Sequence, residues 1–319
     1  MFSISDYARE TGTHLIGDSS AVVLRVSTDS RAIKKGDLYI ALKGPNFDGH
    51  DFVQEAFDRG ASVCMVSQDT FLHTLNDSTA CLVTDDTRQG LWTLSSWWRG
   101  KFGAHIKVVG VTGSNGKTTV KEMIANILRV QANPDKVHAT QGNFNNEIGV
   151  PHTLLGLNSG HAYAVVEMGM NQLGELKRLT NMVRPDVAVI TNVGTAHIGE
   201  LGSQDAIAEA KSEVIAGLSD GGVLIVEADG QYASYLMGQY QRGPVITFGE
   251  GANALLRGSL HQSAGSRVLQ IQYDGRVIDI DWHVRGKHNI LNALAAATAG
   301  FALGVSDSSI KAGLESFDG

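Results

Sequence analysis

The stretch Gly110-Val111-Thr112-Gly113-Ser114-Asn115-Gly116-Lys117-Thr118-Thr119 constrains the fold more than any other part of this chain. A β-branched run, Ile106–Val111, leads into it. A helical pattern with an apolar face at Val120, Met123, Ile124, Ile127 and Leu128 leaves it. Strand, glycine-rich loop and helix, in that order, build a phosphate loop. Its glycines let backbone amides turn toward phosphate oxygens, and the helix N-terminus adds its positive end. In such a loop Lys117 neutralises the β- and γ-phosphates of a nucleotide, and the Thr118 hydroxyl reaches Mg2+. The spacing departs from the commonest pattern, which puts its first glycine at position 111. Here position 111 is Val, and glycines stand at 110, 113 and 116. An incidental glycine-rich turn has no reason to keep strand, Lys-Thr-Thr and helix in register.

Around the loop, short apolar runs alternate with helical patterns. Asp37–Leu42 and Ser62–Ser67 read as strands on either side of a short helix, Asp51–Arg59, which Gly60 ends. Further on, Tyr163–Val166, Val187–Thr191, Val223–Val226 and Val245–Phe248 read as buried strands. Strand–helix alternation predicts a mostly parallel sheet. Arg267–Val284 alternates instead about Asp274-Gly275, a hairpin-turn pair, and predicts an antiparallel edge. His288–Leu303 is Ala-rich and helical. The expected fold is α/β: a small N-terminal α/β domain over residues 1–85 and a central phosphate-loop domain over residues 86–319, with the polar stretch Thr84–Gly90 as linker.

At 319 residues, 43% hydrophobic and 18% charged, the chain can bury a core in each of two domains. Its net charge of −7 argues against a nucleic-acid-binding surface. A local nest of amides still binds phosphate inside an acidic protein. Cys64 and Cys81 lie in apolar runs and read as buried thiols of a reducing compartment. The sequence has neither a signal-peptide pattern at its start nor an apolar stretch of membrane-spanning length. The expectation is a cytoplasmic protein without a membrane partner.

Gly113–Thr119 resembles the loop Gly-Thr-Asn/Ser-Gly-Lys-Thr-Thr of the Mur ligase family, the ATP-dependent ligases that build the peptide of bacterial cell-wall precursors. Three further motifs are similar to the family's and follow its order. They are Glu167-Met168-Gly169-Met170-Asn171; Asn192-Val193-Gly194-Thr195-Ala196-His197 with Ala208-Glu209-Ala210-Lys211-Ser212-Glu213; and Gly286-Lys287-His288-Asn289-Ile290-Leu291-Asn292-Ala293. Gly142–Pro151 and the Glu-Met-Gly-Met-Asn form resemble the member that adds D-Ala-D-Ala to UDP-MurNAc-tripeptide. Ser27-Thr28-Asp29-Ser30-Arg31, with Gly36–Leu42, resembles the uridine-nucleotide-binding domain shared with the tripeptide-forming ligase. Family members carry a third, C-terminal ligase domain. The resemblance therefore implies a truncated form lacking that domain, inactive or weak alone.

The resemblance also implies a site. ATP and Mg2+, the metal at two positions, are its cofactors. Gly113, Ser114, Asn115, Gly116, Lys117, Thr118 and Thr119 bind the nucleotide phosphates, and Asn289 and Asn292 lie near the adenine. Thr118, Glu167, His197 and a carbamylated Lys211 hold the metals. Lys117, Glu167, His197 and Lys211 carry catalysis. Ser27, Asp29, Ser30, Arg31, Asn145 and Asn146 meet the UDP-linked substrate. Taken without the resemblance, these residues have plainer roles. Glu167 would be a solvated strand-end carboxylate, and His197 an ordinary surface or core histidine. Lys211 would be an exposed lysine paired with Glu209 or Glu213, Asn289 a helix cap, and Ser27–Arg31 a turn cluster. Trp97-Trp98 reads as packing between domains. The function implied is an ATP-dependent ligase, working through an acyl phosphate as a monomer. The alternatives are a tripeptide-forming or folylpolyglutamate-type ligase, a nucleotide-binding module without ligase activity, and a plain P-loop kinase.

Overall fold

The computed structural model describes residues 2–67, 79–196, 198–263 and 266–318. The chain divides into two compact units, Met1–Lys101 and Phe102–Gly319.

In the first unit the elements run β1 (Phe2–Ser3), α1 (Ile4–Thr11), β2 (His14–Gly17), β3 (Val22–Val23), β4 (Arg25–Ser27), β5 (Asp37–Ile40), α2 (Val53–Asp58), β6 (Val63–Val66), β7 (Ala80–Val83) and α3 (Thr87–Gly100). The larger sheet has the order β2-β7-β6-β5-β4. β4 to β7 are mutually parallel, and β2 is antiparallel at the edge. The expected strands at 37–42 and 62–67 are β5 and β6. The expected helix is α2, entered through a 3-10 turn over Gly49–Phe52. Cys64 and Cys81 are register partners on β6 and β7, and both are buried free thiols. Thr84–Gly90 is not a linker. The Asp86 carboxylate accepts from the Arg88 and Gln89 amides and so caps α3, whose Leu91, Leu94 and Trp98 are buried. The division between the units accordingly falls at Lys101, beyond this helix, rather than at the expected 85/86 boundary. Trp97 and Trp98 belong to the first unit's own packing, with rings 5.2 and 5.6 Å from Phe2.

The second unit runs β8 (Lys107–Thr112), α4 (Lys117–Ala132), β9 (Val137–Ala139), α5 (Gly149–Leu155), β10 (Tyr163–Glu167), α6 (Glu175–Val183), β11 (Val187–Ile190), α7 (Ile198–Leu201), α8 (Gln204–Ser212), β12 (Val223–Glu227), α9 (Ala233–Gly238), β13 (Val245–Gly249), β14 (Leu256–Ser263), β15 (Ser266–Tyr273), β16 (Arg276–Asp281), α10 (His288–Ala302) and α11 (Asp307–Glu315). Its sheet has the order β16-β15-β14-β13-β12-β11-β8-β10-β9, parallel from β14 to β9 and antiparallel across β14, β15 and β16. This is the predicted α/β sheet with its antiparallel edge. Asp274 and Gly275 turn the β15–β16 hairpin at φ of +49° and +73°, as a type I′ turn requires. β14 has one buried face interrupted by Gly258, where a side chain would strike Leu294 of α10. α4 buries the expected apolar face, together with Lys121. α10 is buried on nearly all sides, and Gly313 of α11 approaches the α4 backbone at Ile127. No helix among the described residues is long and apolar enough to cross a membrane.

From β8 the chain passes through α4 to β9 and β10 on one side, then to β11 on the other. The strand order therefore reverses at β8. In open α/β sheets ligands bind in the crevice outside the carboxyl ends at such a switch point.

Candidate active site

The loop Gly113–Gly116 leaves the carboxyl end of β8 at that reversal. Gly113 has φ +148° and Gly116 φ +79°, both in the left-handed half of the map. A Cβ at Gly113 would run into the Thr191 hydroxyl, and one at Gly116 into the Asn292 side chain. The loop is laced to the end of β11. The Ser114 amide donates to the Asn192 carbonyl at 3.1 Å, and the Asn115 amide to Asn192 Oδ1 at 3.0 Å. Thr191 Oγ1 donates to the Asn115 carbonyl at 2.6 Å, and the Gly194 amide to Ser114 Oγ at 2.9 Å. Ser114 and Asn115 thus use their amides to hold the loop. The amides of the first turn of α4 remain uncapped by any side chain, the arrangement that suits an anion. Lys117 folds back onto the carbonyls of Gly113 and Ser114, at 2.9 and 3.3 Å. Burial lowers its pKa, and the nearby Glu167 charge partly opposes that.

Glu167 ends β10 next to this turn and is 1% exposed. Thr118 Oγ1 donates to its Oε2 at 2.9 Å, Asn145 Nδ2 to its Oε1 at 2.7 Å, and its own amide donates to Thr140 Oγ1 at 3.0 Å. A buried carboxylate served by a hydroxyl and an amide, with no cation in its hydrogen-bond set among the described residues, is suited to a positive charge. This is not the solvated strand-end carboxylate of the plainer reading.

Lys211 on α8 is 1% exposed, which excludes the exposed-lysine reading. Its amine makes no hydrogen bond or ion pair among the described residues. Glu213 accepts instead from the Gly174 and Lys177 amides, at 2.6 and 3.0 Å. Burial, then the charge of Lys117, pulls the Lys211 amine down to about 7. No three His, Cys, Asp or Glu side chains gather into a metal cluster among the described residues. His197, expected as a metal ligand, lies outside the described residues.

Asn292 Nδ2 donates to Asn289 Oδ1 at 2.9 Å, and Asn289 Nδ2 to the Arg285 carbonyl at 2.7 Å. Asn289 therefore does not cap α10. It braces Asn292, which lies against Gly116. Asn146 stands apart from the Glu167 cluster, with its Oδ1 accepting from the Ile148 and Gly149 amides at the start of α5.

In the first unit, Ser27 ends β4 and Asp29 caps the 3-10 turn Ser30–Ala32. The Asp29 carboxylate takes both arms of Arg31 at 2.9 Å, and Ser27 Oγ donates to the Asp29 carbonyl at 3.0 Å. Locally this is the turn cluster of the plainer reading. At the same carboxyl edge of β5, β6 and β7 opens a cavity of about 460 Å3, lined by Lys43, His50, Ser67, Asp86, Arg88 and Trp92 among others. The Ser67 amide donates to His50 Nε2 at 3.0 Å, so Nδ1 carries the proton and donates to Asp48 Oδ1 at 2.6 Å. These lining residues escaped the sequence reading. The available signal was Gly49-His50 on the connection from β5 to α2, where a Cβ at Gly49 would meet the Leu42 backbone.

Residues 111–300 match the profile described as Mur ligase middle domain, and residues 23–87 the one described as Mur ligase family, catalytic domain. The chain belongs to the Mur ligase family. The UDP-N-acetylmuramoyl-tripeptide--D-alanyl-D-alanine ligases of Haemophilus influenzae and Bacillus subtilis are 37% and 39% identical to it, over 94% and 92% of this chain. The chain spans 64% and 62% of those relatives' lengths. A crystal structure of MurF from Acinetobacter baumannii superposes with a TM-score of 0.89 at 34% identity, covering 100% of this chain and 68% of that one. MurF from Thermotoga maritima, solved in complex with ADP, superposes at 0.77 and 28% identity, over 90% of this chain and 65% of that one. In this Mur ligase chain the phosphate loop, Thr118, Glu167 and Asn292 converge on one crevice, while Ser27–Arg31 lie in the other compact unit.

Proposed function

We propose that the chain carries the UDP-substrate-binding and ATP-binding parts of a cytoplasmic ligase that joins D-Ala-D-Ala to UDP-MurNAc-tripeptide. The observation that carries this reading is the Thr118 hydroxyl on the buried Glu167 carboxylate at the phosphate loop, with the Lys211 amine, which has no partner among the described residues, near Lys117. The named relatives and the order of their motifs support the substrate assignment. ATP transfers its γ-phosphoryl group to the terminal carboxylate of the tripeptide, giving an acyl phosphate and ADP. The amine of D-Ala-D-Ala attacks the acyl carbon, and phosphate leaves.

The residues present fit Mg2+. Thr118 and Glu167 offer hard oxygen donors, and Mg2+ takes few protein ligands when phosphates and waters supply the rest. Bound there, the ion would neutralise charge on the β- and γ-phosphates. Lys117 would leave the loop carbonyls for the γ-phosphate and steady it. Asn289 and Asn292 would face the adenine end. Lys211, a buried amine near neutrality, is the species that adds CO2. The carbamate would replace that amine with an anionic oxygen ligand for a second metal, for which His197 is the other expected ligand. The first unit would hold the uridine diphosphate at the carboxyl edge of β4–β7, between Ser27–Arg31 and the Lys43–His50 cavity.

Hydroxylamine trapping tests the reading. With ATP and UDP-MurNAc-tripeptide, the ligase should accumulate a hydroxamate that D-Ala-D-Ala suppresses. ATP hydrolysis indifferent to both substrates, with no hydroxamate, would point to a nucleotide-binding module.

A further inference from the structure

Lys121 is completely buried, one turn beyond Thr118 on the inward side of α4. Its neighbours on that side, Val120, Met123 and Ile124, do the apolar packing. An ammonium among them costs desolvation that only specific partners offset. It has two. Nζ donates to the Thr140 carbonyl at 2.8 Å and to Glu122 Oε1 at 2.6 Å. Adjacent helix positions do not face each other, so Glu122 reaches around from a part-exposed position to follow the charge.

Thr140 is the first residue beyond β9, and its own side chain faces the site: its Oγ1 accepts the Glu167 amide at 3.0 Å. The segment it opens carries Asn145. The Asn145 amide group holds Glu167 Oε1, and its carbonyl accepts the Gly169 amide at 2.8 Å. α4 therefore grips Glu167 twice, directly through Thr118 and indirectly through Lys121 and Thr140. We propose that Lys121 is a positioning residue, its bond to the Thr140 carbonyl fixing the Glu167 carboxylate where the nucleotide's Mg2+ is held. The proposal rests on the reading of Glu167 as a Mg2+ ligand. Partners that orient a metal ligand without touching the metal typically shift metal affinity 10- to 100-fold.

The test is calorimetric titration of the chain with a non-hydrolysable ATP analogue at increasing Mg2+. The variants are Lys121→Met, Thr140→Val, Thr140→Ser and Glu167→Gln. Lys121→Met and Thr140→Val should each raise the Mg2+ concentration needed for tight binding about tenfold. Both should leave metal-free affinity unchanged, and Thr140→Ser should behave as the parent. A merely structural lysine would lower thermal stability without moving the Mg2+ requirement. If Glu167→Gln shifts that requirement while folded Lys121→Met and Thr140→Val do not, the positioning role is wrong. An unmoved Glu167→Gln overturns the metal reading itself and the proposal with it. Should Lys121→Met fail to fold, Lys121→Gln takes its place in the same comparison, because the Thr140 variants leave the Lys121 bond to the Thr140 carbonyl intact.

Discussion

The Thr118 hydroxyl donates to the Glu167 carboxylate at 2.9 Å, joining residues 49 positions apart at the first turn of α4 and the end of β10. The contact follows from sheet order. β10 pairs with β8 so that Glu167 lies opposite Val111, two residues before the loop begins at Gly113. A strand-end carboxylate is thereby placed beside the positive end of a 16-residue helix.

Lys117 projects from that same helix end, and its role is separable from folding. Its ammonium is partly desolvated and, among the described residues, bonds two loop carbonyls alone, so removing it sacrifices little stability. In a nucleotide complex it would face desolvated phosphates, and truncating one partner of such a pair costs about 2–5 kcal/mol. Lys117→Ala should therefore fold normally and bind an ATP analogue at least about thirtyfold more weakly in calorimetry. Undiminished affinity would remove Lys117 from the site.

Lys211 gives a pH-dependent prediction. The unfolded amine titrates near 10.5 and the folded one at about 7. Between these values the unfolded chain holds a proton that the native one lacks, so stability falls as pH falls through that window. The penalty is complete below 7 and absent above 10.5. Lys211→Met should thus stabilise the nucleotide-free protein at pH 7, by on the order of a few kcal/mol, and the gain should shrink toward pH 10. Urea unfolding at several pH values measures it. Growth of the gain with rising pH would contradict the assigned direction. With 13C-bicarbonate near pH 8, the parent should show a carbamate carbon resonance that Lys211→Met lacks.

Local periodicity made much of this fold legible. β8, β10, β11, β12 and β13 are continuous apolar runs, and Asp274-Gly275 marks its own hairpin. β14 was not legible because Arg257, Ser259 and His261 face solvent and Gly258 replaces an apolar residue on the buried side. α3 was hidden because its cap, Asp86, sits in a polar stretch that composition alone equates with a linker. At the site, the loop motif located Lys117 and Thr118. The Glu167 contacts with Asn145 and Thr140 join segments that pair only through the sheet. The sequence does not single out Lys121, since nothing within α4 shows that Thr140 waits beneath it. Lys43 and His50 follow β5, Ser67 follows β6 and Arg88 opens α3 after β7, and they meet only because β5, β6 and β7 lie side by side.

That cavity yields a prediction opposite to motif reasoning. Arg31 belongs to the expected Ser27–Arg31 motif, but its guanidinium is closed on Asp29. Lys43 and Arg88 line the cavity. Lys43→Met and Arg88→Met should each weaken UDP binding by about 1–2 kcal/mol, more at low salt than at high, while Arg31→Met changes it little. Calorimetry with UDP at two ionic strengths decides. A dominant effect of Arg31→Met would return the diphosphate to the turn.

Gly116 and Asn292 are coupled by space as well as by backbone conformation. Gly116 begins α4 at φ +79°, where an L side chain is strained by about 1–2 kcal/mol, and Asn292 Oδ1 fills the place its Cβ would take. Gly142 is a matched control, with φ +54° and open space within 4 Å of the position its Cβ would occupy. Gly142→Ala should therefore lose only the conformational increment. Gly116→Ala should lose more, because either the α4 N-terminus or the Asn289–Asn292 brace must move, and nucleotide binding should weaken with it. Removing the obstruction separates the two costs. In Gly116→Ala/Asn292→Ala the steric part disappears, so the double variant should be more stable than the sum of the single losses implies, by about 1 kcal/mol or more. Its nucleotide affinity should still be low if Asn292 faces the adenine. Chemical denaturation of the four-member cycle measures the coupling. Strict additivity would mean that α4 is free to shift away from α10 and that Gly116 is needed for its backbone angle alone.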